Sequence, residues 1–293
     1  MSPHLNFLLL GAPKCGSTSL HRYLCQHPSI FMAEPKETHY FYRDYEPELN
    51  GFSEKYLSGW TGQPVVGEAS AKNFVLPFVA RRIHEALPQA KLLAILREPV
   101  ERAYSDWWMH RTSGLEKHCF EDAVERGMNS PLLDSWRGEE GYAKWLEFDR
   151  KRGLDGPASP YLERGYYASH LTNFLEHFPR DQILVLFSQE LLREPQSVME
   201  KVWRFLGVED HLVSLEQDGQ RAVGSKLART RKILDSLGLL QMVPQRVRDQ
   251  AGKLSAKLGD RRPEMKKTTN QSLQLHFQPH NEKLRALIGT LPW

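Results

Sequence analysis

A chain of 293 residues with 40% apolar side chains is long enough to bury a sizeable core, as one large α/β domain or two small ones, and a globular soluble protein is the default. Its three cysteines, Cys15, Cys25 and Cys119, show no paired or metal-ligand spacing. That argues against a disulfide framework or a zinc site and leads us to expect a reducing compartment, most simply the cytoplasm. The net charge of +3 conceals an asymmetry: residues 221–267 hold 13 Lys/Arg against 4 Asp/Glu, a stretch suited to an anionic partner or to a solvated helix face.

In chain order, the run "LNFLLL" (5–10) reads as a strand buried on both faces. It is too short, and lacks the cationic leader, for a signal peptide, and no apolar run reaches bilayer length, so no transmembrane segment is expected. The shorter "PVVGEAS" (64–70), then "KLLAIL" (91–96) and "QILVLF" (182–187), read as further strands. Residues 128–165 carry Gly, Pro and Ser between short helical pieces. In a helix expected over 166–178, Tyr167, Leu171, Phe174, Leu175 and Phe178 form an apolar stripe that Pro179 ends. A basic, largely helical insertion over about 211–265 precedes a last amphipathic helix near 272–287. Within the insertion Ile233, Leu234, Leu237 and Leu240 suit packing on the body of the domain, a lid, or peripheral contact with a membrane. The expectation is one domain over 1–293, a three-layer α/β fold whose central parallel sheet is flanked by helices.

The first strand enters a glycine turn, "GAPKCGSTSL" (11–20), that nearly matches the triphosphate-binding pattern G-x-x-x-x-G-K-[ST]. Gly11, Gly16 and Thr18 fit, but Ser17 stands where the lysine belongs and the lysine is Lys14. The backbone N–H groups of residues 15–19, at a helix start, still form a cradle for a phosphate-sized anion. The strand at 91–96 ends in Arg97 where a metal-binding Asp would be expected, although Glu98 leaves magnesium open. A cation supplied by the protein can take the place of the metal.

Taken together, "GAPKCGSTSL" and "LREPVERAYSDWW" (96–108) resemble the two donor-binding motifs of the sulfotransferases that use 3′-phosphoadenosine 5′-phosphosulfate (PAPS), in particular heparan-sulfate-type and bacterial enzymes. "EPKETHYF" (34–41), "GEAS" (67–70) and residues 164–208 extend the likeness over most of 5–210, and more loosely to the final helix. The resemblance implies a 5′-phosphosulfate site at Lys14, Cys15, Gly16, Ser17, Thr18 and Ser19, and a 3′-phosphate site at Arg97 and Ser105. Lys226 or Arg229, in "VGSKLART" (223–230), would complete the latter. It further implies PAPS as co-substrate, adenosine 3′,5′-bisphosphate as product, and no metal requirement. Lys14 is expected at the bridging oxygen of the donor. As base the resemblance points to Glu68, with His39 the rival and Glu34 and Glu37 left to bind an acceptor or cap the loop. Relatives often follow that glutamate with lysine; here Ala69 stands there, leaving the part to Lys72, Lys36 or no residue. Cys15 is expected to be structural, although a helix start would lower its pKa, and Trp107 and Trp108 to pack the core.

The function expected is sulfuryl transfer to a hydroxyl or amine of a glycan, lipid or small molecule, with no nucleic-acid partner. A phosphate-loop small-molecule kinase and a non-catalytic nucleotide-binding module are the alternatives. The acceptor and the oligomeric state are not legible, because the irregular segments 40–60, 128–165 and 211–265 that would wall the acceptor pocket carry no code.

Overall fold

The computed structural model describes residues 3–129, 132–151, 160–214 and 262–293. Lys226, Arg229 and the apolar positions 233–240 lie outside the described residues, as does most of the basic insertion. Five strands build one parallel sheet: β1 (Phe7–Gly11), β2 (Ile30–Met32), β3 (Val65–Ala69), β4 (Lys91–Leu96) and β5 (Ile183–Phe187), in the order β2-β3-β1-β4-β5. Leu8 lies beside Glu68 on one side and Leu92 on the other, and Leu92 beside Ile183. Every residue of β1 is buried, so both faces of the sheet are covered, which requires a helical layer on each side. The expected three-layer α/β fold is the one that forms. Each leucine buried this way contributes on the order of 2 kcal/mol.

The four expected strands are present, and β2 is an addition at the sheet edge. Three residues are too few to show either a run or a period, so "IFM" carried no signal. Helices α1 (Ser17–Leu24), α2 (Tyr40–Arg43), α3 (Phe52–Tyr56), α4 (Val79–Ala86) and α5 (Pro99–Thr112) follow the first strands. The stretch expected to be irregular around 128–165 instead contains the 14-residue α7 (Gly138–Lys151), after α6 (Phe120–Asn129). The Phe174 stripe forms α8 (Tyr167–Leu175), which ends before the expected stop at Pro179 and leaves Phe178 buried beyond it, and α9 (Ser188–Arg193) and α10 (Pro195–Leu206) follow β5. Trp107 is buried against Tyr104 and Phe120, as expected of a core residue.

The C-terminal helix (Lys267–Ile288) starts earlier than its apolar stripe suggested, since its first turn has no apolar residue. It is fastened by Leu273, Phe277 and Leu284, and by Tyr166, whose ring stacks on His280 at 3.8 Å and whose hydroxyl lies 2.8 Å from His276 Nε2. Among the described residues no helix is long and apolar enough to cross a membrane.

Candidate active site

Parallel strands deliver their carboxyl ends to one edge of the sheet, and the loops leaving β1, β3, β4 and β5 meet there. Gly11 ends β1 with φ +115°, and a Cβ at that position would lie 2.2 Å from the Ala71 carbonyl oxygen. Only glycine permits so close an approach, which sets the segment after β3 against the start of the phosphate loop. Gly16, at φ +96°, then turns the chain into α1. Lys14, Glu37, His39 and Leu49 are the non-glycine residues with positive φ among the described residues, and the first three sit at this edge. Side-chain-bearing residues in that conformation mark local strain, which concentrates at functional sites.

A cleft of about 550 Å³ opens between the β1 loop, the end of β4 and the start of α9. Lys14, Cys15, Gly16 and Ser19 line it from the loop, Arg97 from β4, and Ser188 and Gln189 from α9. The Lys14 loop and Arg97, one from each motif read from the sequence, thus line one cleft. Ser17 is buried, Thr18 is exposed, and Ser105, half-buried on α5, lies outside the lining. Glu98, the residue that left magnesium open, caps α5 instead: its carboxylate accepts from Val100 N at 3.1 Å and Glu101 N at 2.7 Å, with Pro99 at the first helical position.

Lys14 rests on α5, with Nζ 3.5 Å from Met109 Sδ. Burial lowers its pKa; nearby Asp106 opposes that shift, and Arg97 and Arg102 reinforce it. An anion in the cleft would restore the full charge. Behind it Asp106, wholly buried, accepts from Arg102 Nη1 at 3.1 Å and Arg164 Nη1 at 2.7 Å. Burial alone would raise the Asp106 pKa, but Arg164, His110 and Arg102 outweigh it and hold the carboxyl well below the usual range. Cys15 is buried, with Sγ 3.5 Å from the Tyr167 hydroxyl, which donates to the Arg97 carbonyl at 2.8 Å. Burial pushes the thiol up to about 11, opposite to what its place at a helix start led us to expect. Cys15 therefore helps tie the loop to the end of β4 rather than acting as a nucleophile.

The sequence reading missed Arg262. Its Nη2 lies 3.4 Å from Glu101 Oε2, the same oxygen that accepts from Arg97 Nη2 at 3.2 Å, and its guanidinium covers the Tyr104 ring at 4.6 Å. The Tyr104 hydroxyl donates to Pro263 O at 2.5 Å and holds that segment in place. A basic residue 161 positions from its carboxylate partner gives no local signal.

Glu68 does not face the cleft as expected. It is 0% exposed, and its carboxylate accepts from Thr38 Oγ1 at 2.8 Å, Asn73 Nδ2 at 3.1 Å and the Ser70 hydroxyl. Glu37, by contrast, keeps 32% of its side chain exposed. Its Oε2 accepts from Ala71 N at 3.0 Å, on the segment pressed against Gly11, and Lys36 Nζ lies 2.5 Å from Oε1. His39 is half-buried with Nδ1 engaged by the Tyr42 hydroxyl, and burial lowers its pKa. Lys72 lies 3.5 Å from Asp149 and over the Tyr42 ring, so Lys36 is the cation found beside Glu37.

Burial raises the Glu68 pKa to about 7 from an ordinary 4.5, against the pull of Ser70 and Thr38. Between those values the folded protein holds a proton that the unfolded chain has released. This contribution to stability is therefore full below pH 4.5 and lost as pH rises to about 7, by about 3 kcal/mol. Glu68→Gln, which cannot ionise, flattens that slope in urea unfolding measured from pH 5 to 8. An undiminished slope in the variant would assign it to other groups.

A family model described as the sulfotransferase domain matches residues 5–287. The chain belongs to the sulfotransferase family. Sulfuryl transfer is the reaction class of that family. This sulfotransferase is 30% identical over 216 residues to the human bifunctional heparan sulfate N-deacetylase/N-sulfotransferase 3, covering 70% of this chain and 22% of that protein. It is 25% identical over 305 residues to human bifunctional heparan sulfate N-deacetylase/N-sulfotransferase 2, covering 97% and 29%. The chain thus spans less than a third of the length of these curated relatives. Among solved structures, a sulfotransferase from Alicyclobacillus acidocaldarius superposes with a TM-score of 0.66 at 25% identity, covering 98% of this chain and 96% of that one.

Proposed function

We propose that the protein moves the sulfuryl group of PAPS to a hydroxyl or amine of an acceptor and releases adenosine 3′,5′-bisphosphate. One observation carries this reading: the Lys14 loop and Arg97 line a single cleft. PAPS bears anionic groups on both sides of its ribose, and two cationic sites in one cleft suit it better than a linear triphosphate. The amides of residues 15–19 and Lys14 hold the phosphosulfate end, with Ser17, Thr18 and Ser19 around it. Arg97 takes the 3′-phosphate with Arg262, and Ser105, Lys226 and Arg229 remain candidates for the same group. With these cations in place, turnover needs no added magnesium.

In the transfer step the acceptor oxygen or nitrogen forms a bond to sulfur as the bridging S–O bond breaks. The electron pair departs with the phosphate, whose charge Lys14 neutralises. The acceptor's proton goes to Glu37. We prefer Glu37 to Glu68 because a base must reach its proton, and Glu37 keeps solvent access where Glu68 has none. Glu68 holds Thr38 and Ser70 in place, and so shapes the segment that presents Glu37. The heparan sulfate N-sulfotransferase relatives support a sugar amine or hydroxyl as acceptor, with lipid and small-molecule acceptors as the broader set.

Calorimetry tests the donor site. The protein should bind adenosine 3′,5′-bisphosphate at least about tenfold more tightly than AMP or ADP, and Arg97→Ala should remove most of that preference, by about 10- to 100-fold in Kd. Equal affinity for bisphosphate and AMP in the unaltered protein would overturn the assignment of Arg97.

A further inference from the structure

We infer that Glu101 occupies the place of the donor's 3′-phosphate in the ligand-free protein, holding Arg97 and Arg262 ready for it, and that it must leave when the donor binds. This rests on the reading of Arg97 given above. One carboxylate oxygen, Oε2, lies 3.2 Å from Arg97 Nη2 and 3.4 Å from Arg262 Nη2, which is how a phosphate oxygen would bridge two guanidinium groups. Glu101 also lines the donor cleft from the first turn of α5. Without an anion between them, the two arginines would repel each other, so the carboxylate keeps them together in the absence of donor.

Among the described residues, the Glu101 carboxylate is held by these two ion pairs. The Glu101 backbone N–H is anchored on the Glu98 cap at 2.7 Å, and its side chain is 43% exposed. It can therefore swing into water without disturbing α5. An arriving phosphate meets the carboxylate as a like charge, and the pair cannot share the two arginines on equal terms. Glu101 thus makes the site wait for a dianion, since a neutral ribose hydroxyl cannot displace it. This favours 3′-phosphorylated nucleotides over AMP by excluding the wrong ligand as well as by attracting the right one.

Glu101→Gln, examined by calorimetry with adenosine 3′,5′-bisphosphate and with AMP, separates this from the reading it rests on. The variant should bind the bisphosphate about 5- to 30-fold more tightly, the effect of releasing two partly exposed ion pairs. AMP affinity should stay level, and the gain should shrink as salt is raised. Glu101→Ala should move in the same direction, which removes the Gln amide as the cause. If the unaltered protein prefers the bisphosphate but both variants bind it equally or more weakly, Glu101 is a fixed spacer for Arg97 and the inference falls. Failure of both variants to melt cooperatively would likewise make it structural. Loss of preference in the unaltered protein would instead condemn the Arg97 assignment.

Discussion

Glu37→Gln lowers turnover by about 10²- to 10⁴-fold while affinity for the bisphosphate product hardly moves. The amide keeps the shape of the carboxylate and can still accept from Ala71 N, so the left-handed turn at Glu37 survives. What is lost is the capacity to take a proton, together with the ion pair to Lys36. Glu68→Gln and His39→Gln are the comparisons that give the result its meaning. Glu68 is closed off from the cleft by its own hydrogen bonds, and His39 is engaged by Tyr42, so each should cost much less turnover than Glu37→Gln. Steady-state kinetics of the three variants, set beside their product affinities, decides the matter. If Glu68→Gln abolishes turnover and Glu37→Gln is nearly silent, the buried carboxylate is the base and the segment around Thr38 must open during catalysis.

The contrast between these two glutamates marks where sequence reading stops. The sheet was legible because long buried strands must be apolar at every position, and the loop because Gly11, Lys14 and Gly16 have few other reasons to recur at that spacing. The pairing of the Lys14 loop with Arg97 followed from strand ends meeting at one edge. Which of the two carboxylates keeps solvent access did not follow, because it depends on contacts made across the fold. Thr38 and Asn73 enclose Glu68, and they come from segments on either side of β3. Glu37 in turn is aimed by a single backbone N–H, that of Ala71. Arg262 was invisible for the same reason, since its partners Glu101 and Tyr104 are remote in sequence. The structural role expected of Cys15 agrees with its burial, and only the direction of its pKa shift differed, because the helix start is a local feature whereas burial beside Tyr167 is a tertiary one and the stronger effect here.

Lys14→Ala should damage both binding and chemistry, and chemistry more. The ammonium lies in a half-buried position between Met109 and the cleft, and behind it the Arg102, Asp106 and Arg164 group leaves one positive charge in excess. That excess favours an anion in front of Lys14, which in turn keeps the lysine protonated. As the bridging S–O bond breaks, negative charge grows on the departing phosphate, so in the role proposed for it Lys14 would stabilise the transition state more than the bound donor. Loss of such a group typically costs about 10²- to 10³-fold in turnover. The same charge also contributes to holding the ground state, so product affinity should weaken by about tenfold. Lys14→Arg should recover much of the binding, since it restores the charge, but little of the turnover, since its planar fork cannot sit where a compact ammonium meets one oxygen. Single-turnover measurements with saturating donor separate the two effects. If Lys14→Ala weakens product binding yet leaves the single-turnover rate intact, Lys14 is an anchor for the donor, and the stabilisation of the leaving phosphate must come from the loop amides.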